Sequence, residues 1–284
     1  MKFTYVALGA SLLANLCVAP AFAANLINPT LGGANDVILY DANGTNTFAN
    51  PNASLTSILA GNASSPGGNV ELFASSEQPG SNFNTPTTLS GTLNGTAMTL
   101  SSLTAADWDV FGLQWFGQFL TTGLNAQGQA ARASLGDATL YSQFVQAGGR
   151  QLFSDPNLSY INQDDTTGEV SMGLAGHFNA YSQVASRIPT LSPLLRQDFQ
   201  ASEIVKVLYG DAPAQYLWSF SATPSGLTEV SDGTSHNGNY EVRFQGTLPD
   251  HPPASVPEPA TVLGLVVMGG LLVATKGKGE REIG

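Results

Sequence analysis

The side chains suited to acid–base or nucleophilic chemistry are few in this chain and lie far apart. Its histidines are His177, His236 and His251. A serine hydrolase needs a histidine beside a serine and a carboxylate, and these partners need not be close in sequence. The chain has no glycine-flanked nucleophile, Walker-type loop, dinucleotide fingerprint or zinc-protease helix motif. The sequence therefore predicts no catalytic residue, no cofactor-binding residue or cofactor, and no metal ligand.

Two acidic segments have some features of ion-binding sites. Residues 41–46 alternate oxygen-bearing side chains, but Asn46 stands where a calcium loop needs glycine and Asn52 where it needs glutamate. We predict an Asx-rich turn there. Asp164 and Asp165 are adjacent, and adjacent side chains rarely converge on one point. A solvated turn is therefore favoured over a calcium site or a catalytic pair.

Carboxylates that are distant in sequence leave one enzymatic alternative open. Residues 24–255 contain eighteen Asp and Glu residues. Glycosidases use two carboxyl groups about 5–10 Å apart, supplied from any part of the chain. A secreted hydrolase acting on extracellular polysaccharide is therefore the alternative to a protein without catalytic activity.

The elements that would position such residues are strands on both sides of a helical middle. Two strand-like runs, 87–93 and 97–101, flank Asn94-Gly95, a dipeptide typical of a tight hairpin turn. Near the other end, the apolar residues Tyr240, Val242 and Phe244 alternate with polar ones, which indicates a strand with one wet face.

Between these strands the period of the apolar residues changes to that of a helix. Thr104 to Asp107 has the form of a capping box with Asp in place of Glu, and an aromatic stripe follows at helical spacing. The stripe consists of Trp108, Phe111, Trp115 and Phe119. Such a stripe is more often the core face of a helix than a sugar-stacking surface.

Further elements follow in the second half of the chain. We predict a helix over 137–147, strands over 169–174 and 202–209, and a helix start at Ser192-Pro193 with Ser192 as its cap. The fold class is thus α+β, a single domain with a mainly antiparallel sheet and a central helical segment at about 104–148. Two domains divided near residue 100 are the alternative.

Charge excludes one class of partner. Residues 24–255 hold six Lys and Arg against eighteen Asp and Glu, a net charge of −12, and contain no basic run. DNA and RNA would be repelled by such a surface. We therefore expect no nucleic-acid partner.

The N-terminus has the pattern of a cleaved export signal. Lys2 is followed by an uncharged apolar stretch, 6–19, and then by Ala21-Phe22-Ala23, a small-x-small cleavage pattern. We predict a signal peptide over 1–23 with cleavage after Ala23, and an exported domain over 24–250. Cys17, the only cysteine, lies in the signal, which excludes thiol catalysis, zinc–thiolate sites and disulfides from the mature protein.

The C-terminus has three parts in a fixed order. A Pro-rich spacer, 251–255, precedes Pro257-Glu258-Pro259, then an apolar stretch over 260–275, then the basic residues Lys276, Lys278 and Arg281. Sixteen helical residues would measure roughly 24 Å, slightly less than a hydrocarbon core of about 30 Å. The basic residues would anchor the end of a transmembrane helix on the cytoplasmic side.

This ending, 256–284, resembles the PEP-CTERM sorting signal of exported bacterial proteins, with the motif at Pro257, Glu258 and Pro259. The resemblance implies recognition by an exosortase, a membrane enzyme that would cut near the motif and transfer the body to a surface component. It also implies a location at the cell surface or in the extracellular matrix, often in bacteria that make exopolysaccharide. A simple membrane anchor that is never processed is the alternative. The sequence thus predicts an exported protein of unknown biochemical role, with extracellular polysaccharide as a further candidate partner.

Overall fold

The structure is a computed structural model that describes residues 23–248. The predicted signal peptide up to residue 22, the spacer and the sorting signal with its membrane helix lie outside these residues, as do Lys276, Lys278 and Arg281. Within residues 23–248, no helix is both long enough and apolar enough to cross a membrane.

The strands of the described residues belong to two sheets. They are β1 Ala23–Asn25, β2 Ile27–Gly33, β3 Val37–Ala42, β4 Asn46–Ala49, β5 Gly68–Leu72, β6 Thr87–Leu93, β7 Thr96–Ser101, β8 Asn157–Asp164, β9 Glu169–Gly176, β10 Val205–Tyr209, β11 Gln215–Leu217, β12 Thr223–Pro224, β13 Thr228–Glu229 and β14 Gly238–Gln245.

The helices are concentrated between β7 and β8. They are α1 Leu55–Leu59, α2 Ala105–Gly123, α3 Ala126–Leu135, α4 Asp137–Gln146, α5 Gly149–Leu152 and α6 Tyr181–Arg187, with a 3-10 turn at Ser192–Leu194.

The larger sheet has the order β12-β14-β9-β8-β5-β3-β4-β13, with β1 added beside β8. All its pairs are antiparallel except β4 with β13. Successive side chains of a strand point to opposite faces of its sheet. In β5, Val70 and Leu72 point into an apolar core, so Asn69 and Glu71 lie on the opposite face.

The larger sheet curls until its two edges meet. β12 and β13 are the two ends of the strand order, yet only residues 225–227 separate them in sequence. Four Cα steps span at most about 14 Å, so the edges must lie that close. Residues from β5, β8, β9, β14 and this connection line one small cavity of about 10 Å³. The inner face of the curl is therefore filled and mainly polar.

The smaller sheet, β11-β10-β7-β6-β2, covers the outer face of the curl. Its β6–β7 hairpin turns at Asn94 and Gly95, which both have positive φ, 48° and 79°. Leu89 and Leu100 from this sheet share one apolar core with Val70 and Val242 from the larger one. The predicted hairpin is confirmed, and so is the prediction that the strand β14 has one buried and one exposed face.

A second core lies among the helices. The aromatic stripe of α2 is buried there, with Trp115 and Phe119 at 0% exposure, against Phe144 of α4 and Phe153. The cap of α2 is also as expected: Thr104 N donates to Asp107 Oδ2 at 2.9 Å, and Asp107 N donates to Thr104 Oγ1 at 3.3 Å. The prediction that the stripe faces a core is confirmed.

The observed fold is mostly β, with a curled antiparallel-rich sheet and several helices. The central helical segment and the antiparallel pairing are confirmed, but the strands form two packed sheets and not one. The prediction that Ser192 caps a helix is wrong. Ser192 lies inside a 3-10 turn without a side-chain cap bond, because the segment is one turn long and Leu191 precedes it as the capping residue.

Candidate functional site

An acidic pocket opens at one end of the curled sheet, where β5 and β9 end and β8 and β14 begin. Its volume is about 160 Å³. The carboxylates that line it are Glu71, Glu77, Asp155, Glu203, Glu229 and Asp232. Six acidic side chains thus surround a small volume.

The sheet register brings the inner members of this group together. Glu71 is on the inner face of β5, directly opposite Asn157 at the start of β8. Asn157 Nδ2 donates to Glu203 Oε2 at 3.3 Å, which connects the segment before β10 to the pocket. Asp155 is fixed by Ser76 Oγ, which donates to its Oδ2. We call Glu71, Asp155 and Glu203 the inner carboxylates.

Two acceptor atoms at the pocket have no hydrogen-bond partner among the described residues. They are Oδ1 of Asp155 and Oδ1 of Asn157. These side chains are only 6% and 7% exposed, and both residues line the pocket. A buried acceptor without a partner costs about 1–3 kcal/mol, more when it is charged. A hydrogen-bond donor placed in the pocket would therefore satisfy two buried acceptors.

No Lys or Arg within residues 23–248 compensates the inner carboxylates. The described residues contain six Lys and Arg, and each forms an ion pair with a carboxylate outside the inner group. Arg187, the one nearest the pocket, pairs with Glu77 at its rim. Any neutralising charge must therefore come from protons or from a bound cation.

Burial and mutual repulsion make these groups hold protons. Burial raises the pKa of Glu71 to about 7, with the charge of Asp36 adding to the effect and a hydrogen bond from the Tyr40 hydroxyl opposing it. Burial also raises the pKa of Asp155, and so does the charge of Glu71. The pKa of Glu203 is raised by burial and by the charge of Asp155. Glu71 is thus partly protonated near neutral pH, and the protonated forms of Asp155 and Glu203 are favoured beyond their ordinary pH range.

The pocket continues outward into an open groove of about 320 Å³. Five residues line both spaces, which shows that they are continuous: Glu77, His177, Gln183, Asp232 and Ser235. The remaining lining of the groove includes Ser182, Ser186 and Thr234. A molecule could thus place one small group in the pocket while a larger, polar part occupies the groove.

Two of the histidines also lie at this site. Ser235 Oγ is 3.3 Å from His177 Nε2 and also donates to Asp232 Oδ2. A catalytic triad needs the histidine between serine and carboxylate. Here the serine is in the middle, so its proton is directed to Asp232 and no carboxylate orients His177. These residues therefore do not form a serine-hydrolase triad.

His236 is a buried structural residue. Its Nδ1 is 2.7 Å from Thr47 Oγ1, and its ring packs edge-on against Tyr40 at 4.6 Å between centroids. Burial lowers its pKa to about 4, so it is neutral at physiological pH. His251 lies outside the described residues.

The acidic segments singled out from the sequence form turns. Asn43 Oδ1 accepts hydrogen bonds from the amides of Thr45 and Asn46, at 3.3 and 2.9 Å, as an Asx turn requires. Asp164 Oδ1 accepts from the amides of Thr166 and Thr167, both at 2.8 Å. Both turn predictions are confirmed. Within residues 23–248, no three His, Asp or Glu side chains are arranged to hold a metal ion.

The inner carboxylates were missed by sequence reasoning because no local pattern joins them. One signal was present: Glu71 interrupts the apolar run Val70-Glu71-Leu72-Phe73, so it had to face away from the core that Val70 and Leu72 enter. Asp155 in a turn and Glu203 before a strand carry no such signal. The pairing of β5 with β8 in the curled sheet, and the contact of Asn157 with the segment before β10, place the three around one pocket.

No protein-family model, no curated protein and no solved structure matches this chain.

Proposed function

We propose that this chain is an exported protein of the cell surface or extracellular matrix, sorted by an exosortase that recognises Pro257, Glu258 and Pro259. The order of signal peptide, body, Pro-Glu-Pro triplet, apolar stretch and basic end is the observation that carries the proposal. Before processing, the C-terminal helix would hold the chain in the membrane with Lys276, Lys278 and Arg281 on the cytoplasmic side.

The architecture of the body supports this division of roles. The residues of the two cores run from Ala24 to Tyr216, Phe220 and Phe244. β1 pairs Ala24 with Gln163 and Asn25 with Asn162, so a chain cut after Ala23 would keep two of the three pairs of that strand. A body cut after Ala23 and beyond residue 248 would thus keep every residue of the two described cores.

The test is retention of the protein by cells that contain an exosortase. Deletion of residues 257–284 should release the body to the medium, because the sorting signal would be lost. A chain in which Pro257, Glu258 and Pro259 are all changed to Ala keeps the apolar helix, and it should stay in the membrane uncut. Surface retention of the deleted chain would refute the proposal, and normal processing of the alanine variant would refute the role of the triplet.

A hydrolase acting on extracellular polysaccharide is the second candidate, and the acidic pocket favours it. A glycosidase needs one protonated and one ionised carboxyl group. Glu71, with a pKa raised to about 7, can adopt either state near pH 7, and burial favours the protonated forms of Asp155 and Glu203. The sorting pattern requires no catalytic activity of the body, so we rank a role without catalysis first.

A screen of the purified chain against glycans and esters separates the two candidates. A hydrolase should form product at a rate that falls by at least about a hundredfold in Glu71→Gln, Asp155→Asn or Glu203→Gln. Glu169→Gln, an exposed carboxylate paired with Arg243, is the matched control. Lack of product with every substrate would leave the non-catalytic proposal in place.

A further inference from the structure

We propose that the acidic pocket binds the primary ammonium group of an amino sugar, whose ring lies in the adjoining groove. This inference goes beyond the sorting of the protein and does not depend on it, because the site lies wholly within residues 23–248.

The hydrogen-bonding capacity of the pocket points to a ligand that only donates. Its unpartnered buried atoms are Asp155 Oδ1 and Asn157 Oδ1, and both accept hydrogen bonds when the Asp155 carboxyl group is ionised, the state that a bound cation favours. The orientation of the Asn157 amide is fixed because its Nδ2 faces the Glu203 carboxylate. An ammonium group carries three donors and no acceptor, so it can serve both atoms and still donate to an inner carboxylate.

The charge of the pocket points to a cation. Every Lys and Arg within the described residues is paired with another carboxylate, so the inner carboxylates have no protein counter-ion. A buried carboxylate is stable only when it is paired, protonated or bound to a cation. An ammonium group would replace the protons that the pocket otherwise holds.

The geometry disfavours a metal ion as this cation. Calcium takes six to eight oxygen ligands, several of them from carboxylates. No three Asp, Glu or His side chains of the described residues converge in the way that such an ion requires. A metal ion needs ligands that converge on one point. An amino sugar can instead donate hydrogen bonds from its ammonium group and from its neighbouring hydroxyl groups, so it can reach acceptors at different places around the pocket.

The shape of the site points to a sugar. The pocket holds about 160 Å³, roughly five water molecules at about 30 Å³ each, which suits an ammonium group and the carbon that bears it. The groove of about 320 Å³ has the volume for a ring. Side chains along it, including Gln183, Ser186 and Thr234, offer hydrogen bonds to hydroxyl groups, whereas the methylene chain of an aliphatic amine would gain little there.

Titration calorimetry of the full chain in detergent at pH 7 tests the proposal. D-glucosamine should bind, while N-acetylglucosamine, with the same ring but a neutral amide, should not. Binding of both sugars alike would show that the ammonium group is not recognised. Equal binding of putrescine would show that the sugar is not recognised. Either result, or no binding of glucosamine, would overturn the proposal.

Variants locate the site. Asp155→Asn and Glu203→Gln should each weaken glucosamine binding by about tenfold to a hundredfold, the effect of losing a hydrogen bond to a charged group. The control Glu169→Gln, on an exposed carboxylate paired with Arg243, should bind as the parent does. Circular dichroism of each variant checks folding. Unchanged affinity in folded Asp155→Asn and Glu203→Gln would place the ligand elsewhere and refute the proposal.

Two further readouts separate an ammonium site from a metal site. Binding at pH 7 should release protons, which is measured by repeating the titration in buffers of different ionisation enthalpy. The inner carboxylates Glu71, Asp155 and Glu203 would supply these protons. The charged or titratable groups that face them are Asp36, Tyr40, His177, Glu229 and Asp232. Calcium chloride in place of glucosamine should give no binding. Calcium binding that excludes glucosamine and is lost in Asp155→Asn would show a metal site instead.

Discussion

Replacing Glu71 by Gln should stabilise the folded protein at pH 8, although Glu71 is a member of the candidate site. The native carboxyl group is buried beside other acids and has no basic partner among the residues that the structure describes, and its pKa is raised from 4.5 to about 7. Gln keeps the size of the side chain and an oxygen that accepts the hydrogen bond of the Tyr40 hydroxyl. It removes only the charge.

The magnitude follows from proton linkage. A group whose folded pKa is above its unfolded pKa binds protons more tightly when folded. Its contribution therefore favours folding below pH 4.5 and is lost as the pH rises to about 7. With these two values the loss for Glu71 is on the order of 3 kcal/mol at pH 8 and below about 1 kcal/mol at pH 5. Removal of this charge also eases the ionisation of Asp155 and Glu203, which adds to the gain at pH 8.

Urea unfolding at pH 5 and at pH 8, followed by circular dichroism, measures this gain. Both values lie above the isoelectric point of about 4.4, where solubility is lowest. Glu71→Gln should exceed the parent by about 3 kcal/mol at pH 8 and by less than about 1 kcal/mol at pH 5. Glu169→Gln loses an exposed ion pair with Arg243 and should change stability by at most about 1 kcal/mol at either pH. A Glu71→Gln protein that is no more stable than the parent at pH 8 would refute the assigned burial and charge.

Two further predictions concern the packing of α2, and urea unfolding measures both. Gly117→Ala should stabilise the protein by about 0.5–1 kcal/mol, because the added Cβ would lie 3.6 Å from its nearest neighbour and the helix gains propensity. Gly112→Ala in the same helix should instead destabilise the protein by about 1–3 kcal/mol, because the added Cβ would lie 2.0 Å from Tyr141 Oη. Equal effects at the two glycines would contradict this packing. Trp115→Ala should cost about 3–5 kcal/mol, whereas Leu113→Ala, at a side chain that is 50% exposed, should cost under about 1 kcal/mol. A small effect at Trp115 would contradict its place in the core.

Local patterns were sufficient for several elements of the fold. The Asn94-Gly95 hairpin follows from the positive φ that both turn residues must adopt, and the cap of α2 follows from side chains three residues apart. The aromatic stripe of α2 and the alternation of β14 also follow from periodicity. These features depend on neighbours in sequence, so the sequence predicts them without knowledge of the fold.

The arrangement of the strands was not predictable in this way. Short strands such as β12 and β13 contain two residues each, too few for a periodic signal. β12 lies at one edge of the larger sheet because it pairs with β14, and β13 lies at the other edge because it pairs with β4. The pairing of β13 with β4 joins residues far apart in sequence. The division into two sheets depends on the same long-range pairs.

The sequence by itself determined the composition of this protein's chemistry. Residues 24–255 have no cysteine, a large acidic excess and few basic residues. Only the tertiary structure decided which acids meet. Glu71, Asp155 and Glu203 belong to separate segments, and the fold buries them together while every described Lys and Arg pairs elsewhere. The energy of a charge depends on its burial and its neighbours, and neither can be read from a linear sequence.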